Sequence, residues 1–309
     1  MIHILLNLLL PPLTLIVLLI VLNIHAIFKF SSWAWRCISV ENVRGKVVLI
    51  TGAASGIGEQ LAYEYARRGA RLALVDIKEN SLRTVAQRST ELGSPDAIVL
   101  QGDVSKKDDC KCFIDHTIQH FSQLNHLVNN AGIMRPLDMI EDTADISSFI
   151  PLMDINFWGT VYSTHFAVPH LRKSKGKIIV IASCCGWLPI AKTAIYNASK
   201  AALISLCETL RTEIGPDINI TTVTPGMIRT NLIRDDYLEK VPIGILPSES
   251  AIHCAKKICS SACRGDRYLT TPSWVNVTYL ITALCPQAAT WVCGSFFTNR
   301  NKSKKTESV

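Results

Sequence analysis

The chain has 309 residues, with 32 Lys and Arg against 25 Asp and Glu for a formal net charge of +7, and it is 48% hydrophobic and 18% charged. That length accommodates one large α/β domain or two small ones, and this apolar content excludes a disordered, collagen-like or charge-patterned chain. A mean hydropathy of +0.23 is unusual for a purely soluble protein and directs attention to a membrane-seeking segment.

That segment stands first. Residues 1–28 carry no Asp, Glu, Lys or Arg, and 21 of the 28 are hydrophobic. About 20 apolar residues cross a bilayer as a helix. No basic residue precedes the run, as one would in a cleaved secretory signal, so the expectation is an uncleaved apolar anchor. Pro11 and Pro12 fix φ and remove backbone donors. They leave two arrangements: a kinked span over residues 13–28, or a hairpin with the prolines at its tip, entering a membrane or lipid droplet from one side. Lys29, Arg36, Arg44 and Lys46 follow the apolar run against one Glu41, and residues 29–44 read as a basic linker. The positive-inside rule then keeps the following domain cytosolic. The eleven cysteines match no zinc framework and read as small core residues in a reducing compartment. No metal site is expected.

From residue 45 the pattern alternates. Continuous apolar runs at Lys46–Thr51, Arg71–Asp76, Ala97–Gly102, His126–Asn129, Lys177–Ser183 and Ile218–Thr224 read as buried strands. Helical segments are expected at 61–69, 79–92, 105–122, 143–172, 193–214 and 248–263. β-α-β alternation gives an α/β fold, a doubly wound parallel sheet of Rossmann type. No linker divides 45–270, which reads as one domain.

The turns after the strands carry the chemistry. Thr51-Gly52-Ala53-Ala54-Ser55-Gly56-Ile57-Gly58 lies between the first strand and its helix. Glycines there permit a tight turn and close backbone approach, and the helix N-terminus offers N–H groups to a pyrophosphate. Asp76 ends the second strand, 18 residues after Gly58. A carboxylate at that place accepts hydrogen bonds from an adenosine ribose and repels a 2′-phosphate, which favours NAD(H) over NADP(H). Asp103 and Val104 close the third strand, and Asn129-Asn130-Ala131-Gly132 the fourth; both are candidate cofactor contacts. Tyr196 and Lys200 are spaced i, i+4 on a helix and share a face. An ammonium beside a phenol stabilises the phenolate and makes Tyr196 a candidate general acid or base. Ser183, at a strand end, is placed to hydrogen-bond a reacting substrate oxygen.

These elements, in this order and joined by Pro225-Gly226, resemble the short-chain dehydrogenases/reductases over residues 45–270. The resemblance implies hydride transfer between a nicotinamide and a carbonyl/alcohol pair. Tyr196 would exchange the proton, Lys200 would bind the nicotinamide ribose, and Ser183 would orient the substrate oxygen. Asn156, in Asp154-Ile155-Asn156-Phe157-Trp158-Gly159, would support a proton-relay water. Cofactor contacts would come from Gly52, Ser55, Gly56, Ile57, Gly58, Asp76, Asp103, Val104, Asn130, Ala131, Gly132, Tyr196, Lys200, Pro225 and Gly226.

A closer resemblance is to the plant 11-beta-hydroxysteroid-dehydrogenase-like proteins, the steroleosin group. It rests on the Pro11-Pro12 apolar segment, Glu41-Asn42-Val43, Gly45 to Gly52, Gly58 to Ala66, Asp154 to Gly159 and Pro272-Ser273-Trp274. It implies a lipid-droplet or endoplasmic-reticulum protein acting on a sterol-like alcohol or ketone, and it admits NADP(H). Asp76-Ile77-Lys78 and Cys184-Cys185 depart from the group's usual residues.

Residues 226–250 are expected to form a substrate-covering loop, apolar through Met227, Ile228, Leu232, Ile233, Leu238 and Ile243. Residues 271–299 form an apolar C-terminal segment that Pro286 interrupts, with no charge between Tyr268 and Asn299. It reads as two short pieces that dock on the domain, meet a second copy in a homodimer or dip into a lipid interface. Residues 300–309 form a basic tail too short to argue for nucleic acid. A non-catalytic lipid-droplet coat or lipid-binding protein is the competing reading, and the intact Asn156, Ser183, Tyr196 and Lys200 set weighs against it.

Overall fold

The structure is a computed structural model that describes residues 8–24, 40–134, 140–141, 143–230, 232 and 247–297. The chain divides into two units, Met1–Glu41 and Asn42–Val309.

In the first unit residues 8–24 are helical and exposed throughout. The described helix includes Pro11 and Pro12 near its start. Among the described residues no helix is long and apolar enough to cross a membrane. Residues 1–7 and 25–28 of the expected anchor lie outside the described residues. Lys29 and Arg36 of the basic linker lie outside the described residues.

In the second unit the strands β1 Val47–Thr51, β2 Arg71–Asp76, β3 Ala97–Gln101, β4 His126–Asn129, β5 Lys177–Ile181 and β6 Asn219–Pro225 follow the apolar runs closely. The short strands β7 Ile228–Arg229 and β8 Glu249–Ser250 pair with each other. β9 Tyr268–Thr271 adds a seventh strand to the main sheet, where the sequence had suggested only the start of an apolar tail. The order is β3-β2-β1-β4-β5-β6-β9, parallel throughout. Chain order reverses direction at β1, so the β1 and β4 ends border the crevice in which such sheets bind ligands.

Alternate residues of β1 feed two cores. Val48 and Ile50 pack with Leu61 and Tyr65 of α1 (Gly56–Arg67), Leu82 and Val85 of α2 (Glu79–Glu91), and Ile258 of α6 (Ala251–Arg264). Val47 and Leu49 pack with Phe113 of α3 (Lys107–Phe121), Leu171 of α4 (Gly159–Ser174), and Leu203 of α5 (Ala194–Glu213). Period-two side-chain direction makes a strand covered on both faces apolar throughout. Cys254, Cys259 and Cys263 face one core and Cys110 and Cys207 the other. These thiols behave as small apolar groups, and burial pushes the Cys110 thiol up to about 11 and the Cys254 thiol up to about 12.

Two helical boundaries differ from the sequence reading. α1 begins at Gly56, not near residue 61, because Ser55 is extended and the chain turns into the helix directly after it. The expected helix 143–172 is a 3-10 turn Ile146–Phe149, an α-turn Ile150–Met153 and a π-turn Asp154–Trp158 ahead of α4. Beyond β9, α7 Val275–Leu284 and α8 Pro286–Phe297 flank Cys285.

Candidate active site

The β1–α1 turn is held by its own glycines. Gly52 and Gly56 have φ of +65° and +63°, a region that penalises side chains bearing a Cβ. A Cβ on Gly58 would lie 2.2 Å from Gly52 O and 2.5 Å from Asn130 Nδ2. Asn130 explains this crowding: its Nδ2 donates to Thr51 O and Gly52 O at 3.0 and 3.1 Å. Thr51 Oγ1 in turn accepts from the Asn130 and Ala131 N–H groups, both at 3.1 Å. The loops after β1 and β4 are thereby tied together across the switch point. Sequence reading assigned Thr51 no role beyond ending the strand.

Asp76 ends β2 with its carboxylate turned to the same place. Oδ2 accepts from Ala54 N at 3.1 Å and Oδ1 from Lys78 N at 3.0 Å. The helix after it is not capped by Asp76, since α2 begins at Glu79 with Lys78 as its uncapped N-cap. Asp103 accepts from Ser105 N and Oγ at 3.0 and 2.7 Å. Val104 is packed so tightly on Gly159 that a Cβ there would approach Val104 Cγ2 to 2.8 Å.

This surface fits a dinucleotide. The first turn of α1 leaves N–H groups without helical acceptors, next to a positive-φ glycine turn, with a carboxylate at the end of the neighbouring strand. Gly52, Ser55, Gly56, Ile57 and Gly58 would face the phosphates, Asp76 the adenosine ribose, and Asp103, Val104, Asn130, Ala131 and Gly132 the remainder.

The reacting groups come from three other elements. Lys200 Nζ is buried, donates to Ile181 O at 3.1 Å, and lies 5.7 Å from the Tyr196 ring centroid. Burial pushes its ammonium down to about 8. Tyr196 is buried one turn earlier on α5. Asn156 is fully buried in the π-turn. Its Oδ1 accepts from Ile133 N at 2.8 Å, and its Nδ2 donates to Ile133 O at 3.0 Å and Ser199 Oγ at 3.2 Å. Ser199 Oγ donates to Tyr196 O at 2.7 Å. A Cβ at Gly132 would lie 3.2 Å from Asn156 Oδ1 and 3.5 Å from Lys200 Nζ, so the loop after β4, the π-turn and α5 converge on one point. π-turns are frequent at functional sites.

Ser183 Oγ accepts from Cys185 N at 3.1 Å, opening the 3-10 turn Cys184–Gly186. That turn lies on α5: a Cβ at Gly186 would meet Lys200 C and O at 3.1 Å. Pro225 O is 3.5 Å from Ser183 Oγ, and Gly226 N donates to Thr271 O at 2.8 Å, so the β6 and β9 ends close the same side.

The short chain dehydrogenase family model matches residues 46–240. The chain belongs to this family. It is 49% identical over 303 residues to 11-beta-hydroxysteroid dehydrogenase A of Arachis hypogaea, covering 94% of this chain and 86% of that one. It is 47% identical over 297 residues to 11-beta-hydroxysteroid dehydrogenase-like 2 of Arabidopsis thaliana, covering 96% of each. A solved short-chain type dehydrogenase/reductase from Mycobacterium marinum superimposes with a TM-score of 0.68 at 27% identity, over 75% of this chain and 96% of that one. The chain is therefore a family oxidoreductase, and these two curated relatives are named as a hydroxysteroid dehydrogenase and a hydroxysteroid dehydrogenase-like protein.

Of the expected substrate loop, residues 231 and 233–246, with Ile233, Leu238 and Ile243, lie outside the described residues. Met227 and Ile228 are described, and Ile228 joins the core behind α1.

Proposed function

We propose that this short-chain dehydrogenase moves a hydride between a nicotinamide cofactor, NAD(H) in preference to NADP(H), and a hydrophobic hydroxysteroid- or sterol-like alcohol or ketone. We also place it at a membrane or lipid-droplet surface, with the catalytic domain on the cytosolic side. The observation that carries the chemistry is the convergence of Asn156, Lys200 and Gly132 beside Tyr196.

A nicotinamide held by these loops would supply or accept the hydride. Tyr196 exchanges the proton with the substrate oxygen. Lys200, its charge buried beside the phenol, favours the phenolate. Ser183 holds the substrate oxygen, with its own Oγ oriented by Cys185 N. Asn156 and Ser199 fix the backbone around Tyr196 and Ile133, and Asn156 would support a proton-relay water there. The Asp76 carboxylate supports NAD(H) because it would repel a 2′-phosphate. The uncharged residues 1–28 and the names of the relatives support the location and the substrate class.

The test is a screen of sterols and lipid alcohols with both nucleotides, run with wild type and Tyr196→Phe. The phenylalanine variant is expected to bind nucleotide normally and turn over no substrate; turnover equal to wild type would overturn the mechanism.

A further inference from the structure

We propose that the outward face of the α7–α8 pair is a docking surface for an anionic phospholipid leaflet. The pair is built inside out. In α7 the residues turned to the domain are Val275, Thr278 and Thr282, while Leu280 and Leu284 are 57% and 79% exposed. α8 buries Ala289 and Cys293 and leaves Trp291 73% exposed. A helix on a water-facing surface puts its large apolar side chains inward and its polar ones outward. Here Val275, Thr278 and Thr282 of α7 and Ala289 and Cys293 of α8 face the protein and the large apolar residues face away, as in helices surrounded by lipid.

The polar groups agree with that solvent. Thr278 Oγ1 donates to Val275 O at 2.7 Å, Thr282 Oγ1 to Thr278 O at 2.8 Å, Thr290 Oγ1 to Pro286 O at 3.0 Å and Ser295 Oγ to Trp291 O at 2.8 Å. Each of these four hydroxyls is bonded to a carbonyl of its own helix, including the exposed Thr290 and Ser295; the Asn276 and Gln287 amides are exposed in the first turn of each helix. Val277, Ile281 and Val292 extend the apolar face, making it the kind of contiguous exposed patch that marks an interaction site.

Charge selects the occupant. Nothing between Tyr268 and Asn299 is charged, and the next ten residues hold Arg300, Lys302, Lys304 and Lys305 against Glu307. That combination matches acyl chains below anionic headgroups. A two-fold contact between copies would use the same patch twice and bring two basic tails to it. Partly exposed Trp274 and Tyr279 suit the headgroup boundary.

The face adjoins the active site. A Cβ at Gly226 would lie 2.7 Å from Val275 Cγ2. Trp187, four residues after Ser183, donates to Thr278 Oγ1 at 3.3 Å and packs edge-on against Tyr279 at 5.2 Å. Given the substrate class proposed above, the docked leaflet becomes the reservoir from which an apolar substrate enters.

The test uses the full chain on vesicles of phosphatidylcholine and phosphatidylserine, with and without brominated acyl chains. Trp291 emission is the difference between wild type and Trp291→Phe, a conservative change at an exposed site. Bromination is expected to quench that difference roughly twofold or more, at the depth of an interfacial helix. Equal emission in both vesicles overturns the proposal: acrylamide quenching would then place Trp291 in water, and shielding from acrylamide would place it against a second copy. The readout is independent of turnover, so its failure leaves the proposed hydride transfer untouched.

Discussion

Asn156 donates to Ser199 Oγ at 3.2 Å, joining the π-turn to the helix of Tyr196 and Lys200. The same amide satisfies both backbone groups of Ile133. Asn156→Ala therefore leaves the partly buried N–H and C=O of Ile133 without this partner, at a cost of up to about 1–3 kcal/mol for each group. Loss of a proton-relay support is expected to lower kcat by about 100-fold. Ser199→Ala removes the bonds to Asn156 Nδ2 and Tyr196 O but keeps both Ile133 groups paired, and should cost about 1–2 kcal/mol. Denaturant midpoints and kcat for the two variants check the ordering; equal stability and activity for Asn156→Ala would contradict it.

Gly58→Ala tests the tie between the β1 and β4 loops. The added methyl would meet Gly52 O and Asn130 Nδ2, well inside van der Waals distance. Something rigid must shift, because Asn130 is fixed by two carbonyls. Overpacking of this kind costs about 1–3 kcal/mol, and the displaced turn should weaken nucleotide binding at least about tenfold. Calorimetric titration with NADH reads the affinity and a thermal melt reads the stability. Gly45→Ala serves as the comparison: unlike Gly58 it has a positive φ, +72°, but its Cβ would meet nothing within 4 Å, so it should lose stability while keeping nucleotide affinity.

The sheet was legible because strands covered on both faces have little freedom in composition: Arg71–Asp76 and His126–Asn129 appear with the same ends in sequence and structure. β9 was not, since Tyr268-Leu269-Thr270-Thr271 is a short, half-polar edge strand that only its pairing with β6 defines. The start of α1 was hidden by glycines, which lower helix propensity but are required here by the crowding around Gly52. The π-turn around Asn156 has no signature in apolar spacing. The motif residues of the site were readable as types at spacings; their ties through Thr51 and Ser199 were not, because they depend on which side chains the folded turns bring within bonding distance.

Asp76→Ala tests the nucleotide preference. The substitution removes acceptors for Ala54 N and Lys78 N together with the charge facing a 2′-phosphate. The ratio of kcat/KM for NADP to that for NAD should rise at least about tenfold, corresponding to about 1.4 kcal/mol, and wild type should prefer NAD. A wild-type preference for NADP would refute the reading of Asp76. The lost turn bonds should also lower the melting temperature, and Asp76→Asn, which keeps acceptor oxygen but not charge, should shift the ratio with a smaller stability loss.

Lys200 links activity to a pH-dependent stability cost. Burial lowers its ammonium from the usual 10.5 to about 8. Below pH 8 both folded and unfolded chains hold the proton, and the folded chain bears the full cost of a buried charge. Between about 8 and 10.5 the folded chain releases that proton while the unfolded chain retains it, so this residue's contribution to stability rises with pH across the window. Lys200→Met keeps the length of the side chain without the charge. At pH 7 it should be more stable than wild type by up to ~3 kcal/mol, less about 1 kcal/mol for the lost bond to Ile181 O. The advantage should shrink as pH rises toward 10.5, while turnover is lost at every pH. Urea unfolding of both proteins from pH 7 to 10.5 measures the difference, in which groups common to the two cancel. A gap that widens with pH would mean that the buried ammonium is compensated in the fold and that its charge carries no stability cost to be offset by catalysis.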